Sequence, residues 1–186
     1  VSSSFGKRFV ITTFGESHGK SVGVIVDGVP AGLNLDITRI QKQLSRRRPG
    51  QSAITTPRKE PDEIIVHSGL HKGVTLGSPI MMMVENTDHR PEDYDELQTT
   101  FRPSHADFTT MEKYGIMTSG GGRSSARETI GRVAGGAIAE QLLNRLAPKL
   151  EIVAWVQQVQ NITCEKINED TITRIEVDQT EVRCPS

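Results

Sequence analysis

Between Gly120 and Thr129 the chain reads Gly-Gly-Gly-Arg-Ser-Ser-Ala-Arg-Glu-Thr. Exposed backbone donors, hydroxyls and two guanidinium groups gather there, just ahead of a run of small residues. Such a surface suits a phosphate or a carboxylate, with Ser124, Ser125 and Arg127 placed to meet it. It matches neither the dinucleotide fingerprint nor a P-loop. It needs a partner segment to become an active site, and Gly15-Glu16-Ser17-His18-Gly19 is the candidate. An imidazole at position 18 can protonate a leaving group or steady an anion; the plainer alternative is a loop histidine tied to backbone. Ser17 and Glu16 do not make a catalytic triad by spacing alone.

Two further clusters carry chemistry. Arg46, Arg47 and Arg48 are consecutive, so they cannot all face one pocket, but one or two can take an anion in bidentate fashion. The turn at Pro49-Gly50 favours Arg48 for that role, with a solvated surface as the alternative. His105 lies close to Arg102, Pro103 and Asp107. Asp107 either orients the imidazole or caps the segment that follows, and a surface histidine in a structured loop fits equally well. No cysteine–histidine cluster points to zinc and no acidic loop to calcium.

These residues need a scaffold. Phe9 to Thr13 and Val22 to Asp27 read as strands of a hairpin, with Ser17-His18-Gly19 in its connection. Asp36 to Leu44 spaces Ile37, Ile40 and Leu44 as a helix that Asp36 caps and Pro49-Gly50 ends. Ile64 to Ser68 and Ser78 to Val84 read as strands, and the Met81-Met82-Met83 run as core packing. Asn86 to Thr110 is a long, polar, proline-interrupted loop of the kind that carries function. The clearest helix is Ala126 to Leu146, stopped by Pro148. Its glycines at 131, 135 and 136 cost helix stability, which implies close packing and burial. Leu150 to Gln160 and Thr171 to Val182 read as strands.

A chain of 186 residues with net charge −1 gives no general electrostatic case for nucleic acid. No stretch is long and apolar enough to span a membrane. Aromatic content of 4% is low for an independent compact domain, which suggests a fold completed by other parts. Cys164 and Cys184 read as free thiols in a reducing compartment. The opening at Val1 and the close at Cys184-Pro185-Ser186 read as cuts in a longer product.

The order and density of motifs resemble the chorismate synthase family. They are Phe14-Gly15-Glu16-Ser17-His18-Gly19, Asp27 to Leu33, Arg46 to Ser52, Thr55-Thr56-Pro57-Arg58, Ser68-Gly69, Gly77 to Ile80, Asn86-Thr87-Asp88, Arg102 to Asp107, Lys113-Tyr114-Gly115 and Gly120 to Arg132. The resemblance covers nearly all of residues 5–146 and extends weakly to Val182-Arg183-Cys184-Pro185. It implies an α+β fold, a β-α-β sandwich with helices packed between antiparallel sheets, of which residues 1–186 are the N-terminal portion of a single domain.

The implied activity is a 1,4-anti elimination of phosphate from 5-enolpyruvylshikimate 3-phosphate, giving chorismate in aromatic amino-acid biosynthesis. The implied cofactor is reduced FMN, which lends an electron and takes it back. By motif, His18 resembles the histidine near the leaving phosphate, and His105 the histidine that supplies a proton to reduced flavin. Ser17, Arg48, Ser125 and Arg127 resemble substrate ligands; Arg123 and Ser124, with His105, shape the flavin side. The resemblance also implies a cytoplasmic homotetramer, with a separate flavin reductase or an intrinsic one.

Family members are about twice this length, and the later half carries further flavin contacts and a proton-accepting aspartate. The Ile116-Met117-Thr118-Ser119 link departs from the pattern, and Ser104 stands where a glycine is common. Two other readings remain open. One is an inactive or assembly fragment; the other is a non-catalytic module that binds phosphorylated metabolites without reduced FMN.

Overall fold

Alternating β-branched residues build the centre of the molecule. In the computed structural model, which describes residues 3–50, 60–87, 100–116 and 120–186, strand β2 (Val10–Gly15) pairs antiparallel with β3 (Ser21–Asp27). The expected hairpin is present, with Ser17-His18-Gly19 at its connection. Strand β1 (Ser4–Phe5) adds to its outer edge. On the other side β3 pairs with β7 (Ile80–Glu85), and β7 with β4 (Ile65–Val66). The order is β1-β2-β3-β7-β4, antiparallel throughout. Two short ribbons complete the strands: β5 (Leu70–His71) with β6 (Val74–Thr75), and β8 (Gln158–Val159) with β9 (Ile162–Thr163).

Cross-strand register puts Ile11 opposite Val26, Val24 opposite Met82, and Val22 opposite Val84, all buried on one face. The methionine run divides by the two-residue period: Met82 enters the core, while Met81 and Met83 are half-buried on the opposite face.

Two helices cover the buried face. Helix α1 (Ile37–Arg47) starts where Asp36 Oδ1 accepts the Thr38 and Arg39 backbone N–H groups at 2.8 and 3.4 Å. It buries Ile40 and Leu44 and runs a turn beyond Leu44, so Arg46 and Arg47 are helical. Positive side chains in a last turn suit the helix dipole, and Pro49 ends the helix. A single 3₁₀ turn at Ala126–Glu128 leads into α3 (Thr129–Leu146), which crosses β2, β3 and β7. Buried Gln141 of α3 clamps Asp36, accepting from its N–H at 2.8 Å and donating to its carbonyl at 3.0 Å.

The described residues form an α+β fold in which helices cover one face of the five-stranded antiparallel sheet. Among them no helix is long and apolar enough to cross a membrane. Cys164 and Cys184 are free thiols.

The tail differs from expectation. Of Leu150 to Gln160 only Gln158–Val159 is strand, and Thr171 to Val182 contains helix α4 (Arg174–Asp178) instead of a strand. The signal was Thr173-Arg174-Ile175-Glu176, a capping box: Thr173 Oγ1 accepts from the Glu176 N–H, and the Glu176 carboxylate accepts from the Thr173 N–H. The β-branched run Thr171-Ile172-Thr173, with Ile175 and Val177 alternating beyond it, hid it. Helix α4 buries Val177 and ties the two long helices together. Asp178 takes Arg46 of α1 bidentately at 2.7 and 3.0 Å, and Arg174 reaches Glu140 of α3 at 2.9 Å. A further helix, α2 (Asp107–Tyr114), begins inside the segment expected to be loop; residues 88–99 of that segment lie outside the described residues.

Two of the three α3 glycines, Gly131 and Gly135, are there for contact, whereas Gly136 is exposed, contrary to expectation. A Cβ on Gly131 would stand 2.7 Å from the Gly23 carbonyl oxygen and 2.9 Å from Thr13 Cγ2, whereas one on Gly136 meets open space. Gly131→Ala should therefore cost about 1–3 kcal/mol by overpacking, despite better helix propensity. Gly136→Ala should gain about 0.5–1 kcal/mol. Chemical denaturation of both variants checks the contrast, and equal midpoints would refute the packing account.

Candidate active site

The β2–β3 connection and the glycine segment meet, so the candidate partner segment is the one beside it. The Ser17 N–H donates to the Gly122 carbonyl at 3.3 Å. Gly120 has φ +69°, and a Cβ there would stand 2.2 Å from His18 Nδ1, so only glycine leaves room for the imidazole. Ser17 is buried, and its hydroxyl lies 3.0 Å from His18 Nδ1, which fixes the ring.

Arg123 locks the same turn to the end of β2. It donates to the Gly15 carbonyl at 2.9 Å, the Thr13 carbonyl at 3.1 Å and Thr13 Oγ1 at 2.7 Å. Thr13 Oγ1 in turn donates to Glu128 at 2.6 Å. Burial pushes the Glu128 carboxyl up, but the hydrogen bonds from Thr13 and Arg132 and the charges of Arg132 and Arg123 outweigh it, leaving a net lowering.

A cavity of about 330 Å³ opens over this junction. It is lined by His18, Arg47, Pro49, Arg102, His105, Gly121, Ser124, Ser125, Ala126 and Arg127, drawn from four separate stretches of chain. Five residues expected from the sequence lie on its wall: His18, His105, Ser124, Ser125 and Arg127. Ser17 sits behind His18. Arg123 lines a second cavity of about 320 Å³, which adjoins the first across Gly121 and Ser124 and also includes Tyr114 and Ile116.

The three consecutive arginines go three ways. Arg46 is held by Asp178, Arg47 lines the cavity, and Arg48, the C-cap of α1, is exposed. The helical course of α1 through Arg47 decides this, with neighbours turned about 100° apart. Arg47, from the arginine cluster of which one or two were expected to take an anion, is therefore a wall residue, and so is Arg102, which sequence reasoning did not single out. The available signal for Arg102 was its place three residues before His105 and five before Asp107.

Asp107 neither caps α2 nor hydrogen-bonds His105. Ala106 is the N-cap position, and the Asp107 carboxylate takes Arg102 in a fork, from Nε at 2.8 Å and Nη2 at 3.0 Å, and also accepts the Arg102 N–H at 3.0 Å. Arg102 Nη2 reaches on to the Gly120 carbonyl at 2.8 Å. This grip holds a loop whose Ser104 and Ala106 both lie in the left-handed region, at φ +64° and +57°. His105 is exposed on that loop with Nδ1 3.1 Å from the Pro103 carbonyl.

Arg127 is 4% exposed and is surrounded. Its Nη1 donates to Asp62 Oδ1 at 2.9 Å, its Nε to Asn86 Oδ1, and its Nη2 to the Glu85 carbonyl at 3.4 Å, with Glu60 Oε2 3.5 Å away. Asn86 turns its amide to the carbonyls of Glu16 and Gly19, at 3.0 and 2.7 Å, so the histidine-bearing loop hangs from the same guanidinium. Glu60 accepts from the Thr87 N–H and hydroxyl. The cavity thus offers arginines whose directions are set by carboxylates, with two imidazoles at its rim. That arrangement can bind a polyanion and move a proton to it.

The fold and this cavity define a class of protein. The chain superposes on a solved chorismate synthase, described as "Crystal Structure of Chorismate Synthase", with a TM-score of 0.69 and 26% identity, covering 97% of this chain and 49% of that one. The family profile described as chorismate synthase matches residues 9–186, and the chain belongs to that family. It is 59% identical to a chorismate synthase of Prochlorococcus marinus (strain NATL1A) and 57% identical to that of strain MIT 9515. Each match takes in 100% of this chain, and 51% and 50% of those proteins respectively. The chain spans about half the length of these relatives.

The Arg102 fork holds the Asp107 carboxyl below its ordinary value, against a smaller opposing effect of burial. A lowered folded value gives stability that is present above the ordinary Asp value of about 3.9 and is lost as pH falls through the lower folded one. Carboxyl-carbon NMR should place the Asp107 midpoint below 3.9, and Arg102→Gln should raise it. A midpoint unmoved by that substitution would remove Arg102 as the cause.

Proposed function

We propose that the protein carrying this chain converts 5-enolpyruvylshikimate 3-phosphate to chorismate and phosphate, as a lyase of the shikimate pathway using reduced FMN. The observation that carries the reading is the single cavity on which His18, His105, Ser125, Arg127, Arg47 and Arg102 converge. A substrate with two carboxylates and a phosphate matches arginines held in fixed forks. In the overall step the ring C–H bond and the C–O bond to phosphate break, a new double bond forms, and no net oxidation occurs.

His18, steadied by Ser17, donates a proton to, or clamps, the departing phosphate. Arg127, Ser125 and Arg48 take part in substrate binding, with Arg47 and Arg102 beside them. Arg48 would have to turn in from its exposed position.

The residues present fit a phosphate-bearing planar cofactor. The two adjoining cavities share Gly121 and Ser124, and the second adds Tyr114, Ile116 and Arg123 to that shared wall. His105, Ser124 and Arg123 would hold the cofactor, with His105 holding a proton for it. The chemistry that reduced FMN would supply there, when bound, is an electron lent to the substrate and returned, with no net redox change. Homotetrameric assembly, reduced flavin from a separate reductase or an intrinsic one, and a cytoplasmic location belong to the same proposal.

The chain spans about half of its relatives, so turnover is proposed for the protein at full length. Anaerobic chorismate formation with reduced FMN should be seen for that protein. His18→Ala should lower kcat by about 10²–10⁴-fold with the fold retained. His105→Ala should lower turnover and also alter the spectrum of bound reduced flavin. Unchanged turnover in His18→Ala would sink its role. Phosphate binding by the full-length protein without any turnover would favour a non-catalytic binding module.

A further inference from the structure

Asp62 is fully buried, yet it is a charged residue in a left-handed backbone conformation, at φ +49°. Neither condition is favourable for aspartate, so something must compensate. Its two carboxylate oxygens are divided between two arginines from distant elements. Oδ2 accepts from Arg47 Nη1 at 3.1 Å, and Oδ1 from Arg127 Nη1 at 2.9 Å. Both arginines line the cavity that also holds His18 and His105.

The backbone under Asp62 is pinned as well. Gln41 of α1 donates to the Asp62 carbonyl at 3.0 Å and accepts the Ile64 N–H at 3.0 Å. The carboxylate is therefore a rigid spacer, fixed to the same helix that carries Arg47. Glu60, two residues earlier, stands 3.5 Å from Arg127 and is occupied by Thr87.

We propose that Asp62 is a positioning residue of this site: by gripping Arg47 with one oxygen and Arg127 with the other, it sets the spacing and direction of two guanidinium groups on the cavity wall. It touches no substrate in this role. It also balances part of their charge, so that a bound anion meets oriented forks and not a diffuse positive field. The proposal rests on the reading of the cavity as the substrate site.

The test uses the full-length protein carrying this sequence, with inorganic phosphate as the first probe and the phosphorylated substrate as the second. Asp62→Asn keeps shape and removes charge. It should raise the dissociation constant for phosphate at least tenfold and raise KM by more than it lowers kcat. Asp62→Glu, which restores the charge, should recover part of the phosphate affinity. Because loss of a buried counterion can unfold a protein, the double variant Arg47→Met with Asp62→Asn is measured beside both single variants. Strong non-additivity in phosphate binding shows that Asp62 acts through Arg47.

Additive effects, or wild-type phosphate affinity and KM in a cooperatively folded Asp62→Asn, overturn the proposal while leaving the site reading intact. Failure of the wild-type protein to bind either probe overturns both.

Discussion

One buried guanidinium organises this structure. Arg127 has Asp62, Asn86, the Glu85 carbonyl and Glu60 around it, and through them it touches four otherwise separate parts of the chain. Asp62 brings in the end of α1 and Asn86 brings in the loop that carries His18. Burying such a charge is costly, and the attraction of its partners roughly offsets that cost. Removing one partner strands a charge at about 3–5 kcal/mol. The cluster is therefore better understood as defining one arrangement than as a large net source of stability.

The packing below it has a different basis. Small residues at 131, 134 and 135 let α3 settle against β2 and β3, close enough for Gly131 to approach the backbone of Gly23. That approach places the start of α3, and so the glycine turn before it, at the end of the β2–β3 hairpin. Arg123 and Glu128 then fasten turn to strand through Thr13. The apolar layer sets the distance between helix and sheet, and the polar contacts set the direction of the side chains above it.

Much of this was legible in the residues. The hairpin, the Asp36 cap and the close packing of Gly131 and Gly135 follow from local rules, and the need of the leading turn for a partner segment made Ser17-His18 a candidate without fixing the contact. Other features depended on register or on distant partners. Which of three adjacent arginines faces the cavity depends on how far α1 continues past Leu44. Nothing local in Pro61-Asp62-Glu63 marks Asp62 for burial; its partners Arg47, Arg127 and Gln41 come from elsewhere in the chain. Asp107 has a histidine two residues away, yet it turns to Arg102, whose fork geometry a carboxylate matches better. In the tail, β-branched alternation concealed a capping box that was present in plain sequence.

The fastening of Thr13 to Glu128 spans 115 residues, and that of Asp36 to Gln141 spans 105. No short stretch of the chain can assemble the cavity by itself. Its first residues leave the ribosome long before the segment that completes the wall. Closing loops of that length pays its entropy before the contacts that reward it exist, so topology alone places this chain among the slower folders. Until α3 arrives, the apolar face of the β2–β3 hairpin stays open to water and to other chains, and the newborn protein is most vulnerable to association in that interval.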